Sequence, residues 1–401
     1  MTSKALTGIT VLEFSHTIMG PCAGLLLADL GARVIKIEPA PDGDKTRYLN
    51  GFASGFFATF NRNKESVAVN LKSTQGQAII HQLVNEADVV LENYGPGTME
   101  KLGCGYDALS AINPKLVYLA LKGYLSGPLQ QRPALDEVVQ FQSGLAYMTG
   151  PVGQPLRAGA SIIDILGAVF GVTGVLAALR ERDATGQGQK VSSALFETAA
   201  FLMAPHMAGG ATTGEIVPPM TARRGAWGIY DVFALTNDDA LFIGVTSDAQ
   251  WQRFCDEFSL QHLYNDARLH TNPQRTSERS WLIPELNEYF AQLTYDRVAS
   301  GCERADVSWS PVGRPEDLHQ HEQLLGGRGL LNIALDTARQ SVAEQTSLPG
   351  LPLEFNDNDR SAVNSPPPRT GEHTRGVLKH MGYDDQRIAA LVAQQVVAVP
   401  A

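Results

Sequence analysis

Residues 9–38 read ITVLEFSHTIMGPCAGLLLADLGARVIKIE, and the order of their textures decides the fold. Ile9-Thr10-Val11-Leu12-Glu13-Phe14 is a short β-rich run. Beyond Ser15 and His16 come Gly20-Pro21 and a helical apolar stretch from Cys22 to Leu30, closed by Gly31 as glycine closes helices at C′. Val34-Ile35-Lys36-Ile37-Glu38 is the next strand. A strand–helix–strand unit this tight predicts a parallel sheet with right-handed crossovers.

The pattern recurs at residues 67–71 (strand), 74–85 (helix), 88–92 (strand) and 116–121 (strand). Residues 161–182, rich in Gly and Ala, predict a tightly packed helix. The texture changes near residue 210, and Ser365-Pro366-Pro367-Pro368 breaks the chain before a helical tail. The 401 residues, 44% hydrophobic and 18% charged, suffice for a large core in two or three domains. No dinucleotide fingerprint joins the first strand to its helix: GxGxxG is replaced by Ser15-His16-Thr17-Ile18-Met19-Gly20-Pro21, which argues against a nicotinamide cofactor.

A formal net charge of −10 argues against a nucleic-acid partner, which needs a basic face. Four scattered cysteines without a CxxC pair read as free thiols in a reducing compartment. The nine histidines show no HExxH spacing, so no metal site is expected. The N-terminus lacks an apolar h-region, and no apolar run reaches the ~18 residues of a spanning helix. A cytoplasmic protein with no membrane partner is expected.

Few residues stand out for chemistry. Asp164 sits in the almost wholly apolar GASIIDILGA, where a carboxylate loses solvation. It is either a helix cap or first-turn acid satisfied by backbone N–H groups, or a catalyst. His16, between strand and helix, is either a ligand contact or a turn residue. Asn61-Arg62-Asn63-Lys64-Glu65-Ser66 is either a solvated turn or a phosphate site, and Glu92-Asn93-Tyr94-Gly95-Pro96-Gly97 either a ligand loop or a tight turn.

In succession, EFSHTIMGP, LADLGARVIKIEP, GDKTR, FNRNKESVAVNLK, ADVVLENYGPGTMEKLG, NPKLVYLALKGYLSGP, RAGASIIDILGAVFGVTGVLAAL, GQGQKVSSALFET and PPPRTGEHT span nearly the whole chain. In this order they resemble the class III CoA-transferases, the CaiB/BaiF group that includes formyl-CoA transferase and the 2-methylacyl-CoA racemases. The resemblance implies an α/β fold: a Rossmann-like large domain built from both chain ends (residues 1–200 and 330–401), a smaller α/β domain (215–325), and an interlocked homodimer.

It further implies that Asp164 is catalytic, carrying a covalent aspartyl-CoA intermediate, with CoA as substrate and no prosthetic group. His16, Thr17 and Ile18 would then lie beside the pantetheine, and Lys64, Leu71 and Lys72 near the adenosine. Asn93, Tyr94, Gly95, Lys101 and Leu102 would line the CoA groove, with Lys122, Tyr124 and Asp136 in further matching segments. Where the racemases carry a His-Asp pair this chain has Leu135-Asp136, and leucine moves no proton, so transfer is favoured over racemisation. Formyl-CoA transferase has tyrosine at the Leu135 position, glutamine at the Ile18 position and a glycine run that is missing near Arg223-Arg224-Gly225, which disfavours formate and oxalate. Arg157, Arg223 and Arg224 either clamp a second carboxylate, as for succinate, itaconate, mesaconate or citramalate, or lie at the surface or on CoA phosphates. Succinyl-CoA is the donor considered first. A racemase and a non-catalytic CoA-binding protein are the alternatives.

Overall fold

A computed structural model describes residues 4–222, 225–335, 344–355 and 364–400. The chain divides into two compact units, one of residues 1–221 with 322–401, the other of residues 222–321.

The larger unit is built on a seven-stranded sheet. Its strands are β1 (Thr10–Phe14), β2 (Arg33–Pro39), β3 (Lys64–Val69), β4 (Val89–Glu92), β5 (Val117–Lys122), β6 (Lys190–Ala194) and, from the far end of the chain, β12 (Val397–Ala398). The spatial order is β12-β3-β2-β1-β4-β5-β6, parallel except for β12, which runs antiparallel to β3. β1 pairs with β2 on one side and β4 on the other, so the order reverses there. Loops leaving the carboxyl ends of two such strands part and open a crevice.

Side-chain alternation along each strand feeds two cores. Leu12, Phe14, Ile35, Ile37, Val67 and Val69 face helices α2 (Thr74–Val84), α3 (Tyr106–Ile112), α10 (Thr374–His380) and α11 (Asp385–Ala393). Val11, Val34, Val89, Leu91 and Leu119 face α1 (Met19–Asp29), α4 (Asp136–Ser143), α5 (Ile162–Thr185) and α6 (Leu195–Thr213). With both faces covered, the central strands β1, β4 and β5 have no exposed position. α5 is long and apolar enough to span a membrane by length and composition, unlike the expectation from continuous apolar runs. Its Gly167-Ala168, Gly171-Val172, Val175 and Ala178-Leu179 stripe is buried.

In the smaller unit β7 (Ile229–Ala234), β8 (Ala240–Val245) and β9 (Ser308–Pro311) form an antiparallel sheet. Trp251 and Phe254 of α7 (Asp248–Glu257), Phe258 just beyond it, Phe290 of α8 (Arg279–Phe290) and Val298 of α9 (Tyr295–Arg304) pack its core. β10 (Leu330–Ala334) and β11 (Gln345–Pro349) pair antiparallel.

Candidate active site

The β1–α1 loop is held from three directions. The His16 N–H donates to Asn93 Oδ1 (3.0 Å) while Asn93 Nδ2 donates to His16 O (2.9 Å), tying the loops after β1 and β4 across the crevice. The Thr17 N–H donates to Thr46 Oγ1 at 2.8 Å. Thr17 has φ 65°, a strained conformation for a β-branched residue that these anchors impose. The His16 ring stacks on Tyr94 at 5.6 Å and 17°. Burial, opposed by Asp44, moves its pKa below the ordinary value and favours the neutral ring. Ile18 is buried as the residue preceding α1. Tyr94 has its phenol pushed up to about 12, chiefly by burial.

Beneath the loop lies a row of buried charge that sequence reasoning missed. Lys36 Nζ reaches Asp44 Oδ2 (3.0 Å), Glu13 Oε1 (3.3 Å) and Ser15 O (2.9 Å). Lys64 Nζ reaches Glu13 Oε2 (2.8 Å) and Pro21 O (2.8 Å). Arg47 binds Glu38 through two bonds of 2.6 and 2.8 Å, and Ser66 Oγ adds a third at 2.6 Å. Burial works against the Lys36 ammonium, but Asp44, Glu13 and Glu38 outweigh it and lift its pKa. For Lys64 burial wins, and its pKa falls to about 8. Arg62 is also buried, in a two-bond pair with Asp29 at 2.6 and 2.5 Å. The segment around Arg62 and Lys64 is therefore neither a solvated turn nor an open phosphate cradle. Both cations are committed internally, and the Lys64 ammonium does not stand at the surface expected for an adenosine contact. The available signal was the pair of charges at Lys36 and Glu38, alternate places of VIKIE, within strands otherwise fit for burial on both faces.

Leu71 is half-buried against the core and Lys72 exposed, both just past the carboxyl end of β3. After β4, Gly95 and Lys101 are exposed and Leu102 half-buried. Lys122 Nζ, at the end of β5, holds Glu92 Oε1 (2.5 Å) and donates to Tyr94 O (2.8 Å). Glu92 also accepts the Tyr94 N–H at 3.0 Å. The pair thus clamps the backbone of the residue that stacks on His16. Tyr124 is buried, its hydroxyl donating to Gln142 Oε1 at 2.7 Å.

Asp164 stands in the first turn of α5, half-buried. Among the described residues no hydrogen bond or ion pair reaches its carboxylate. Burial first, then the charges of Asp136 and Glu137, push its pKa up to about 7. Asp164 does not cap the helix; Asp136 does. The buried Asp136 Oδ2 accepts the N–H groups of Ile163 (2.8 Å) and Asp164 (3.0 Å). The next two donors are also engaged, Ile162 N–H to Ala160 O (2.8 Å) and Ile165 N–H to Ser161 O (3.2 Å). This helix end therefore has no N–H left for an oxyanion, contrary to what its position invites. The facing end of α1 differs: it has no side-chain cap and no acid in its first turn, Pro21 carries no N–H and the Cys22 N–H donates to Ile18 O (2.7 Å), which leaves the Met19 and Gly20 amides without intrahelical partners. α1 and α5 approach closely there, for a Cβ on Gly167 would come within 2.5 Å of Met19 Cε. The charge of Asp164 reaches α1, acting on Cys22, whose thiol burial pushes up to about 12.

Arg157 is half-buried and pairs with Glu137 at 3.5 Å. Arg223 and Arg224 lie outside the described residues. The structure thus gathers His16, Thr17, Asn93 and Tyr94 at the crevice and joins Asp136 to the start of α5, while Lys64 goes inside.

The model of CoA-transferase family III matches residues 6–374. An acyl-CoA transferase of Fusarium pseudograminearum is 34% identical over 399 residues, covering 96% of this chain and 86% of that one. The human succinyl-CoA:glutarate CoA-transferase is 30% identical over 408 residues, covering 98% and 90%. Among solved structures, a CaiB/BaiF family protein from Brucella suis superposes with a TM-score of 0.83 at 27% identity, covering 95% of this chain and 100% of that one. A match over nine-tenths of the chain, on a doubly wound sheet whose crevice has this lining, settles the family: the chain belongs to CoA-transferase family III and is an enzyme that moves CoA between acyl-CoA thioesters and carboxylic acids.

Proposed function

We propose that Asp164 is the nucleophile and that the acceptor is a short dicarboxylic acid, with succinyl-CoA as donor. The single observation that carries the first part is the Asp164 carboxylate itself, desolvated and unpaired while a neighbouring acid occupies the helix amides. A group with a pKa near 7 is a better nucleophile than an ordinary aspartate yet is still about half ionised at neutral pH. Asp164 attacks the donor carbonyl, and the C–S bond breaks to give a mixed anhydride and CoA thiolate. The thiolate attacks the aspartyl carbonyl of that anhydride, forming aspartyl-CoA thioester and releasing the donor acid. The acceptor carboxylate then attacks the aspartyl thioester, and the expelled thiolate takes the acceptor acyl group and restores Asp164. Each step exchanges one activated acyl group for another, so no redox equivalents are consumed. At the uncapped start of α1 the Met19 and Gly20 N–H groups serve the developing oxyanions.

His16, Thr17 and Ile18 are assigned to the pantetheine side of the crevice, and Asn93, Tyr94, Gly95, Leu102 and Tyr124 to its lining. Lys72 and Lys101, both exposed beyond carboxyl ends of strands, suit the phosphates of CoA. The human relative's glutarate supports a dicarboxylate acceptor. Arg157, only loosely paired with Glu137, is the described arginine placed to clamp its distal carboxylate. Four buried free thiols suit a reducing cytoplasm, and exposed apolar side chains on α4, α5 and α6 suit a homodimer.

Transfer from succinyl-CoA to glutarate, itaconate, mesaconate and citramalate, followed by mass spectrometry of new thioesters, tests the reading. Asp164→Ala and Asp164→Asn should each lower turnover by roughly three orders of magnitude. Hydroxylamine should trap the acyl group on residue 164 of the unsubstituted enzyme alone. Wild-type rates in both variants would sink the proposal. Arg157→Ala should raise KM for dicarboxylates but not for monocarboxylates.

A further inference from the structure

We propose that Asp136 is a positioning residue for Asp164: it caps α5 from another helix, fixes where the Asp164 carboxylate stands, and sets a second negative charge beside it. This rests on the reading of Asp164 as nucleophile.

Three observations carry the inference. Asp136 opens α4 and lies 28 residues before Asp164, yet its Oδ2 accepts both the Ile163 and the Asp164 N–H. Its Oδ1 accepts Gln140 Nε2 at 2.5 Å, and Gln140 Oε1 in turn accepts the Ala158 N–H at 2.9 Å. One acid–amide pair therefore anchors the helix and the loop that enters it. Ser161, the residue at the cap position, makes no side-chain cap.

The consequence is chemical. An aspartate in a first turn is ordinarily drawn back onto the helix amides. Here those amides are occupied, so Asp164 keeps both oxygens free for a carbonyl carbon. The two carboxylates repel, and that repulsion vanishes when Asp164 becomes an ester-like adduct. Asp136 thus favours the acylated state over the free one. The groups facing Asp164 are Asp136 and Glu137 of α4 and Cys22 of α1, with Glu137 partly offset by Arg157.

The experiment compares Asp136→Asn, which keeps an acceptor oxygen but loses the charge, with Asp136→Ala, which loses both, and Glu137→Gln, a half-buried neighbour that bonds no α5 amide. For each, kcat and KM are measured from pH 5 to 9, with hydroxylamine trapping. Asp136→Asn should move the acidic limb of kcat/KM to lower pH by about one unit, and Glu137→Gln should move it in the same direction by less. Asp136→Ala should lower kcat by roughly ten- to hundredfold with KM for acyl-CoA little changed. Trapping on a residue other than 164 would defeat the nucleophile assignment itself. Trapping on 164 with an unmoved limb in Asp136→Asn would overturn the present inference alone. Wild-type kcat in Asp136→Ala, with trapping on 164, would overturn it likewise.

Discussion

At Asp164 reactivity and stability pull in opposite directions. The carboxyl titrates at about 7 against an ordinary 3.8 because burial and two neighbouring acids disfavour its charge. The folded enzyme therefore holds this proton more tightly than the unfolded chain does. Its contribution to stability is most favourable below about pH 4 and is lost as the pH rises through about 7. Asp164→Asn should accordingly unfold at higher urea than wild type at pH 8, by about 2–4 kcal/mol, and lose that advantage by pH 4. The same titration governs rate: activity should climb with pH and level off above about pH 7, since only the anion attacks.

Helix α1 shows how one small residue admits a buried charge pair. A Cβ on Gly24 would stand 1.8 Å from Glu13 Oε2 and 3.1 Å from Lys64 Nζ. The helix can cover the row of charges only because that position has no side chain. Gly24→Ala should cost at least about 3 kcal/mol in a denaturant titration, reversing the usual gain from Gly to Ala in a helix, because it displaces a paired carboxylate with no water to receive it. The first strand, first helix and second strand were legible because their apolar runs have one period each and Gly31 ends the helix. β3 was not: its start at Lys64 reads as a turn, since nothing local reveals that Lys64 is answered by Glu13 two strands away on β1 and Ser66 by Glu38 on the adjacent β2. The capping of α5 was hidden likewise, for its acid comes from another helix. Thr17 at positive φ follows from anchors at Asn93 and Thr46, which only the tertiary fold brings near.

Over the whole molecule, the family was legible because many short motifs keep their order, whereas surface features depend on packing. Phe141 of α4, Phe170 of α5 and Phe201 and Met207 of α6 are 55%, 40%, 66% and 69% exposed. So many large apolar groups on three helices that share one core invite a second copy. Light scattering should find the unsubstituted chain as the proposed homodimer and the Phe170→Asp, Phe201→Asp double variant as a monomer with unchanged circular dichroism.

The returning strand β12 has a consequence for synthesis. Val397 pairs with Val69, so the edge of β3 stays open until residue 397, 328 residues later, is made. At about 5–20 residues per second, that interval is on the order of tens of seconds on the ribosome. Residues 222–321 are complete well before then. Throughout it the nascent chain displays a strand edge that pairs with any passing strand, so the window in which this enzyme needs chaperone cover closes only when residues 397 and 398 emerge.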